Sequence, residues 1–415
     1  MRSIVGVLAA AALLAPAARA QHAPFQAFFA TVCAGSPGGS LATRCGETPG
    51  GAGDLSGDSE LSLNPNQSLA AHDASQARVR QLSQDIEERL AARRADEGAS
   101  LATPIGFILN GRYTRSERDR SFDGSPLQPE PLQRERGYTA NEGSVQVGAD
   151  LRVGEGAVIG ALFAYSRSEA EFDPDRSTAP SFVPASTSGE AETDSYFLTA
   201  FGSLDLGMGF WVDGSLGGGI TRHTLTRRAV FQETTRTIAQ TLGVLEGDTD
   251  GYELSATAGA GYDRQDGALS YGPYLRVRYV NTTLDGYAED DPASSGLAMR
   301  YDEETQHSAV GVVGLRASYA LSTGIGVVVP SVRVEWEHEY ARNAFTTHQS
   351  FNRDGFANDY ALRGDAPDRD YANVGAGVTA VLPGGWMAFA EYEGLFGYRD
   401  LARHRATAGL RVELR

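Results

Sequence analysis

From residue 104 to the C-terminal end, apolar and polar side chains alternate along stretches commonly longer than ten residues. Val145, Val147, Ala149, Leu151 and Val153 alternate with Ser144, Gln146, Gly148, Asp150 and Arg152. Tyr252, Leu254, Ala256, Ala258, Ala260 and Tyr262 alternate with Glu253, Ser255, Thr257, Gly259, Gly261 and Asp263. A period of two means an extended chain with one dry face and one wet face. Soluble strands usually run about five or six residues, whereas a strand crossing a bilayer needs about 9–11. Twelve strands are predicted, near 104–116, 138–153, 157–171, 191–205, 209–224, 249–264, 268–285, 303–320, 325–345, 370–382, 386–397 and 401–415.

The connections alternate in length. Tight turns are expected at Gly154–Gly156, Asp205–Gly207, Gln265–Gly267, Ser322–Gly324 and Pro383–Gly385, with longer polar stretches between them, until a short last hairpin. Membrane barrels have short turns at one rim and long loops at the other. Aromatic residues on the apolar faces, Tyr113, Tyr262, Tyr279, Tyr319, Trp336, Tyr340 and Trp386, form the expected interfacial belt. The opposite faces collect Arg112, Asp150, Arg152, Arg276, Arg278, Arg316, Arg333, Glu335, Glu337, Glu391, Glu393 and Arg411. Burying such charges unpaired in a small soluble core costs several kcal/mol per ion, so a hydrated lumen is expected around them. The fold class that follows is an all-β, twelve-stranded antiparallel transmembrane barrel occupying 99–415.

One helix is predicted upstream, Asp73–Glu97 within a segment 73–98. Val79, Leu82, Ile86 and Leu90 make a narrow apolar stripe, Asp73 and Gln76 suggest a capping box, and Gly98 suggests the stop. Arg78, Arg80, Asp85, Glu87, Glu88, Arg89, Arg93 and Arg94 share the rest of its surface. About 25 residues reach roughly 37 Å, the thickness of a bilayer. So polar a helix belongs in water, as a coiled coil or linker, or in a polar pore.

Met1–Ala20 has a basic start, an apolar stretch and an Ala18-Arg19-Ala20 site, the pattern of a signal peptide cleaved before Gln21. Cys33 and Cys45, the two cysteines, then meet an oxidising compartment and are expected to pair as a disulfide rather than to hold zinc. The segment 21–72 is rich in Gly, Ser, Pro and Asn and reads as loop or loosely ordered chain. Within it, Gly57-Asp58-Ser59 resembles the start of the GDSL esterase nucleophile block, but Glu60 follows and about 50 residues are too few for such a hydrolase. No His-based catalytic pattern and no phosphate loop is present, and the paired Glu391 and Glu393 read as salt-bridge partners of lumen or helix arginines. Neither an enzyme nor a cofactor is therefore expected. The acidic stretches Glu289–Asp291 and Asp302–Glu304 read as solvated loops rather than cation sites. A formal charge of −17 argues against nucleic acid.

Four local phrases carry a resemblance: Tyr371-Ala372-Asn373-Val374-Gly375-Ala376-Gly377, Leu382-Pro383-Gly384-Gly385-Trp386, Tyr392-Glu393-Gly394-Leu395-Phe396 and Ala406-Thr407-Ala408-Gly409-Leu410. With the signal, the polar helix and the twelve strands, they resemble the translocator of the monomeric autotransporters of type V secretion. The resemblance implies an outer-membrane barrel that moves or anchors its upstream segment at the cell surface, with the helix left in the pore as a plug. It implies lipid and lipopolysaccharide, the barrel-insertion machinery and periplasmic chaperones as partners, and a monomeric barrel. A stand-alone plugged porin-like channel is the alternative reading, and a surface esterase to which the upstream segment contributes is a third. Three departures stand out: the chain ends Leu414-Arg415 where the family's barrels usually end in an aromatic residue, its passenger-like segment is short, and Asp73–Glu97 has no Asn for self-cleavage.

Overall fold

A computed structural model describes residues 25–95, 105–122, 133–154, 156–175, 177, 179–235, 239–324, 326–341 and 344–414. The signal peptide, Glu97, Gly98 and Arg415 lie outside the described residues.

Twelve strands close into one antiparallel barrel. They are β1 Ile105–Arg118, β2 Tyr138–Val153, β3 Ala157–Phe172, β4 Gly189–Gly207, β5 Phe210–Gln232, β6 Gln240–Tyr262, β7 Leu269–Leu284, β8 Glu304–Tyr319, β9 Gly326–Glu339, β10 Asp370–Leu382, β11 Trp386–Phe396 and β12 Leu401–Leu414. Each pairs with its neighbour, and β12 pairs with β1 from Leu414 against Ile105 to Leu401 against Arg118, so no edge is left open. All twelve overlap the ranges that the alternation predicts, though β9 ends at Glu339, short of the expected 345. No helix among the described residues is long and apolar enough to cross a membrane, so the strands provide the crossing.

The outer face is greasy. Phe107, Leu109, Val145, Val147, Ile159, Leu198, Leu216, Leu254, Leu275, Val332 and Val334 all point outward and are exposed. All seven expected belt residues face outward too, Tyr262 being half-buried against Phe210. They form two girdles: Tyr262, Tyr319 and Trp386 beside the tight turns, and Tyr113, Tyr279, Trp336 and Tyr340 toward the long loops. Tyr165, Tyr196, Tyr252 and Tyr392 join the second girdle, and of these the alternation sets only Tyr252 on a dry face. Tyr252 and Tyr262 are ten steps apart on one strand, which at about 3.3 Å per step and a tilt of about 40° separates the girdles by roughly 25 Å, the height of an apolar band.

Two strands are longer than expected. β5 runs to Gln232 and β6 starts at Gln240, so most of the loop expected over 225–248 is strand. Along β5 the dry face changes sides. Phe210, Val212, Leu216 and Ile220 point outward in the apolar band, whereas farther up Leu225, Ala229 and Phe231 are buried on the inner face. Beyond the membrane the outside is water, so the apolar residues turn inward and the extension behaves like a soluble sheet. A four-stranded sheet from Tyr287–Ala288, Met299–Tyr301, Thr346–Phe351 and Tyr360–Arg363 stands beside it, joined to β6 by a bridge between Glu246 and Asp290.

Those inward faces receive the N-terminal segment, which corrects its reading as loose chain. It folds as α1 Phe25–Ala34, α2 Gly39–Gly46 and α3 Gly57–Leu63. A disulfide between Cys33 and Cys45 ties α1 to α2, and the Ser56 side chain caps α3 by accepting from the Ser59 N–H. Glycine and serine dominate the connections, which hid the apolar face of α1: Phe25, Phe28, Phe29 and Val32 are all buried. They pack on Phe231, Leu245, Met299, Phe351 and Tyr360, with Phe28 stacked on Phe351 at 5.6 Å. The three helices therefore share one core with the strand extensions and cap the long-loop end of the barrel.

The long helix, α4, begins at Ser68 rather than at Asp73 and runs to Ala95. It starts after a turn through Pro65 and Asn66, where Ser68, Leu69 and Ala70 donate to the carbonyls of Pro65, Asn66 and Gln67. Its 28 residues span about 42 Å and descend through the lumen from the cap toward the tight turns.

Candidate functional site: the plugged lumen

The helix fills the barrel by two kinds of contact. Its apolar stripe, Val79, Leu82, Ile86 and Leu90, packs on Ile108 of β1, Val158, Leu162 and Ala164 of β3, Phe197 and Phe201 of β4 and Val280 of β7. The lumen wall is thus apolar along β3 and β4. A glycine makes room there: a Cβ on Gly160 would lie 2.6 Å or less from the Phe201 ring on the neighbouring strand.

Around the rest of the helix the charges are zoned along the axis. Near the cap the helix is basic and the wall acidic. Arg78 pairs with Glu253, and Arg80 with Glu339 at 3.0 Å. In the middle the signs reverse. Asp85 pairs with Arg112 at 2.8 Å and Arg405 at 3.2 Å, Glu88 with Arg333 at 2.8 Å and Arg405 at 3.2 Å. Glu87 accepts from Arg276 Nη1 at 2.9 Å and from Arg278 Nε and Nη2 at 3.0 and 2.7 Å. Toward the tight turns the signs reverse again. Arg89 Nε donates to Asp150 at 2.6 Å, Arg93 pairs with the other oxygen of Asp150 at 2.7 Å, and Arg94 with Asp213 at 3.2 Å. A slide by one helical turn would set like charges against each other, so this zoning fixes the depth of the plug.

The predicted lumen residues all lie inside the barrel. Besides the pairs above, Arg278 contacts Glu335 at 3.2 Å and Glu337 at 2.9 Å. Arg333 takes Glu391 at 3.3 Å and also Glu393. Arg316 holds Asp263 at 3.1 Å, Arg152 donates to the carbonyl of Arg93 at 3.1 Å, and Arg411 stacks over Phe389 at 4.3 Å. Glu142, Asp213, Glu253, Asp263, Glu339 and Arg405 complete the network. Polar-face alternation placed Glu253, Asp263 and Glu339 inward without marking them as partners. The lumen expected to be watery around these charges is largely filled by α4, whose charges meet those of the wall. With α4 in place Arg78, Arg93, Arg278, Glu335 and Glu337 are each no more than 2% exposed, so these charges are paired and dry.

The other expected features fall outside the lumen. Ser59 is fully buried in the cap, where its Oγ accepts the Gln232 N–H at 2.9 Å and lies 2.9 Å from the Ser56 hydroxyl. Glu289, expected in a solvated acidic loop, is buried: it accepts from Arg227 Nη2 at 2.7 Å, the Met299 N–H at 2.8 Å and the Tyr301 hydroxyl at 3.0 Å. Burial and this carboxylate hold the Tyr301 hydroxyl above the ordinary phenol value, so it stays a donor. The sheet folding back over β6 is what takes Glu289 out of water. Among the described residues no cluster of His, Cys, Asp and Glu could hold a metal ion.

A barrel with an apolar waist, two aromatic girdles, short turns at one rim, long extensions at the other and a charged helix through its pore is an outer-membrane barrel carrying its own plug. The family model "Autotransporter beta-domain" matches residues 133–393, and the chain belongs to that family. It is therefore an outer-membrane β-barrel of type V secretion, a translocator by family. Among solved structures, the translocator domain of the autotransporter NalP from Neisseria meningitidis matches at a TM-score of 0.58 and 19% identity, over 84% of this chain and 98% of that one. The β-domain of the Bordetella autotransporter BrkA matches at a TM-score of 0.47 and 16% identity, over 75% of this chain and 100% of that one. No curated protein matches the chain.

Proposed function

We propose that the barrel delivers its own N-terminal segment to the cell surface and keeps it there as a folded cap. The observation that carries this reading is the shared core. Phe25, Phe28, Phe29 and Val32 bury themselves against Phe231, Leu245, Phe351 and Tyr360, which belong to the long-loop end. In outer-membrane barrels that end faces outward and the tight turns face the periplasm. Polar latches support a stable dock. Arg227 donates to the carbonyl of Leu63, Arg136 to that of Leu61, and Ser62 both donates to Asp175 and accepts the Val230 N–H.

In this reading the chain is an anchor and closure, not a catalyst. Ser59 supports it, since its hydroxyl oxygen is fully buried and accepts from the Gln232 N–H of β5. The exposed aromatic girdles suit lipid, and lipopolysaccharide above it, as the barrel's surroundings. Insertion machinery and periplasmic chaperones remain the expected helpers for an unfolded barrel, which works as a monomer.

An epitope inserted at the exposed Pro49–Gly50 turn tests the reading. Labelling by antibody on intact cells is the expected result. A tag protected on intact cells but reached after the outer membrane is opened would overturn surface display and favour a channel plugged from the periplasm.

A further inference from the structure

Two cavities lie along one side of α4. The outer one, about 230 Å³, touches Ala77, Gln81 and Gln84 of the helix and reaches the long-loop rim at Ala366, Arg399 and Asp400, all exposed. The inner one, about 410 Å³, touches Glu88 and Ala91 and reaches the tight turns at Asp205, Gly209 and Gln265. Ala77, Gln81, Gln84, Glu88 and Ala91 follow one another in steps of four and three, so both cavities open on a single helix face. The apolar stripe is on the opposite face, pressed against β3 and β4. Exposure separates the two faces: Val79, Leu82, Ile86 and Leu90 are no more than 2% exposed, whereas Ala77, Glu88 and Ala91 are half-buried.

One layer of side chains divides the cavities. On β10 Asn373 lines the outer cavity and Gly375 the inner, and on β11 Glu393 and Glu391 do the same. Each pair is a single inward step, about 7 Å along the strand. Across that step runs a closed ring of ion pairs between α4, β9, β11 and β12. Glu88 meets Arg333 at 2.8 Å and Arg405 at 3.2 Å, while Glu393 meets Arg405 at 3.2 Å and also Arg333. The ring is not sealed in protein. Glu393 lines the outer cavity, Glu88 and Arg333 line the inner one, and 17% of the Glu88 and 12% of the Arg333 side chain is accessible. Every member has two partners, so one pair can part while each charge keeps another, and water from the cavities solvates the parted groups. Opening therefore avoids the several kcal/mol of an uncompensated buried ion.

We infer that this ring is a gate, and that water and small ions cross the barrel beside α4 while the plug stays in place. The charged and amide side chains lining both cavities suit hydrated ions rather than apolar solutes. Conduction of this kind does not require export of the N-terminal segment.

The test is the conductance of the full-length protein in planar bilayers. The native sequence should show a small steady conductance. Both native cysteines are held in the disulfide, so Ala77→Cys or Ala91→Cys supplies one free thiol, in the outer or the inner cavity. Modifying either thiol with a charged methanethiosulfonate should block the conductance. Arg333→Gln with Glu393→Gln removes one pair from the ring and should raise the conductance severalfold. Arg78→Gln with Glu253→Gln removes a plug–wall pair outside both linings and should not. If the ring variant loses the compact mobility of the unboiled barrel on SDS gels, the two thiol variants decide. A silent native barrel, a conductance untouched by modification at both positions, or an equal rise in the two double variants overturns the inference.

Discussion

Glu87 is held by two wall arginines at once, and its removal measures how dry the lumen is. In Glu87→Ala three charge-assisted hydrogen bonds disappear, one from Arg276 and two from Arg278. Breaking a buried ion pair from one side costs about 3–5 kcal/mol, because the partner stays buried with its charge uncompensated. Here the cost falls at the low end. Arg276 keeps Asp213 at 2.9 Å, and Arg278 keeps Glu337 at 2.9 Å and Glu335 at 3.2 Å. A loss of about 3 kcal/mol corresponds to a drop of roughly 5–10 °C in the unfolding midpoint of a domain this size. The assay is the temperature at which the barrel in detergent loses its fast mobility on unboiled gels. Glu117→Ala is the control. Glu117 pairs with Arg115 at 2.6 Å, but both side chains are about half exposed, and such pairs are worth about 0–1 kcal/mol. If Glu87→Ala shifts the midpoint no more than Glu117→Ala, the lumen charges are hydrated and the dry, paired plug is refuted.

Removing Ser68–Ala95 should raise single-channel conductance in planar bilayers, since the helix both fills and neutralises the pore; an unchanged conductance would mean that the cap or the loops close it instead. Ile86→Ala should cost about 2–5 kcal/mol by leaving a cavity against the apolar wall of β3 and β4, read on the same gels. Cys33→Ser with Cys45→Ser frees a loop of 12 residues and should destabilise the cap by about 3 kcal/mol while leaving the barrel midpoint in place, seen as protease cleavage between α1 and α2. His348, on the outer sheet, is held above its ordinary value by its hydrogen bond to Asp359. A raised folded value means that its stabilisation is complete below about pH 6.5 and is lost as pH rises through the raised value. Amide exchange over Thr346–Phe351 should therefore be slower at about pH 5.5 than at about pH 8 beyond the intrinsic pH effect, and His348→Gln should remove that difference.

The barrel was legible because a membrane-facing surface permits no exception to alternation. Val145 to Val153 and Tyr252 to Tyr262 must all be dry on one side, and every such run is a strand. The upper parts of β5 and β6 escaped for a physical reason. Past Ile220 the outward residues Arg222, Thr224 and Thr226 are polar and the inward Leu225, Ala229 and Phe231 are apolar, so the pattern reverses and reads as its own interruption. The apolar strip of the lumen escaped as well. β3 carries Ile159 and Phe163 outward and Val158 and Leu162 inward, and a strand apolar on both faces gives no sign of which side is wet. The charged residues of the lumen were legible as a set, but their pairing was not. Whether Glu87 meets Arg276 or Arg112 depends on the depth of the helix, which no spacing along the chain encodes.

That depth and the cap depend on each other. Phe25–Leu63 is close to the size, below about 40 residues, at which a chain seldom folds alone without a staple, and it has one disulfide. Its aromatic face has no partner until Phe231, Leu245, Phe351 and Tyr360 stand together, which requires β5, β6 and the outer sheet to be assembled. The segment therefore crosses the pore in the proposed export without a finished core and completes it on the barrel that carried it. The charge zones then stop the helix. Asp85 to Glu88 sit among Arg112, Arg276, Arg278, Arg333 and Arg405 only when Ser68 has reached the outer rim, which is the depth at which Leu63 and Leu69 join the cap. Exchanging the signs of one zone pair, Asp85→Arg with Arg112→Asp, restores their own contact while Arg405 and Glu142 then meet like charges, and should recover part of the surface labelling at Pro49–Gly50 that the single change loses. Asp85→Arg alone sets a sixth positive charge in the ring and should reduce labelling. Equal labelling in both would show that the cap finds its place without the helix.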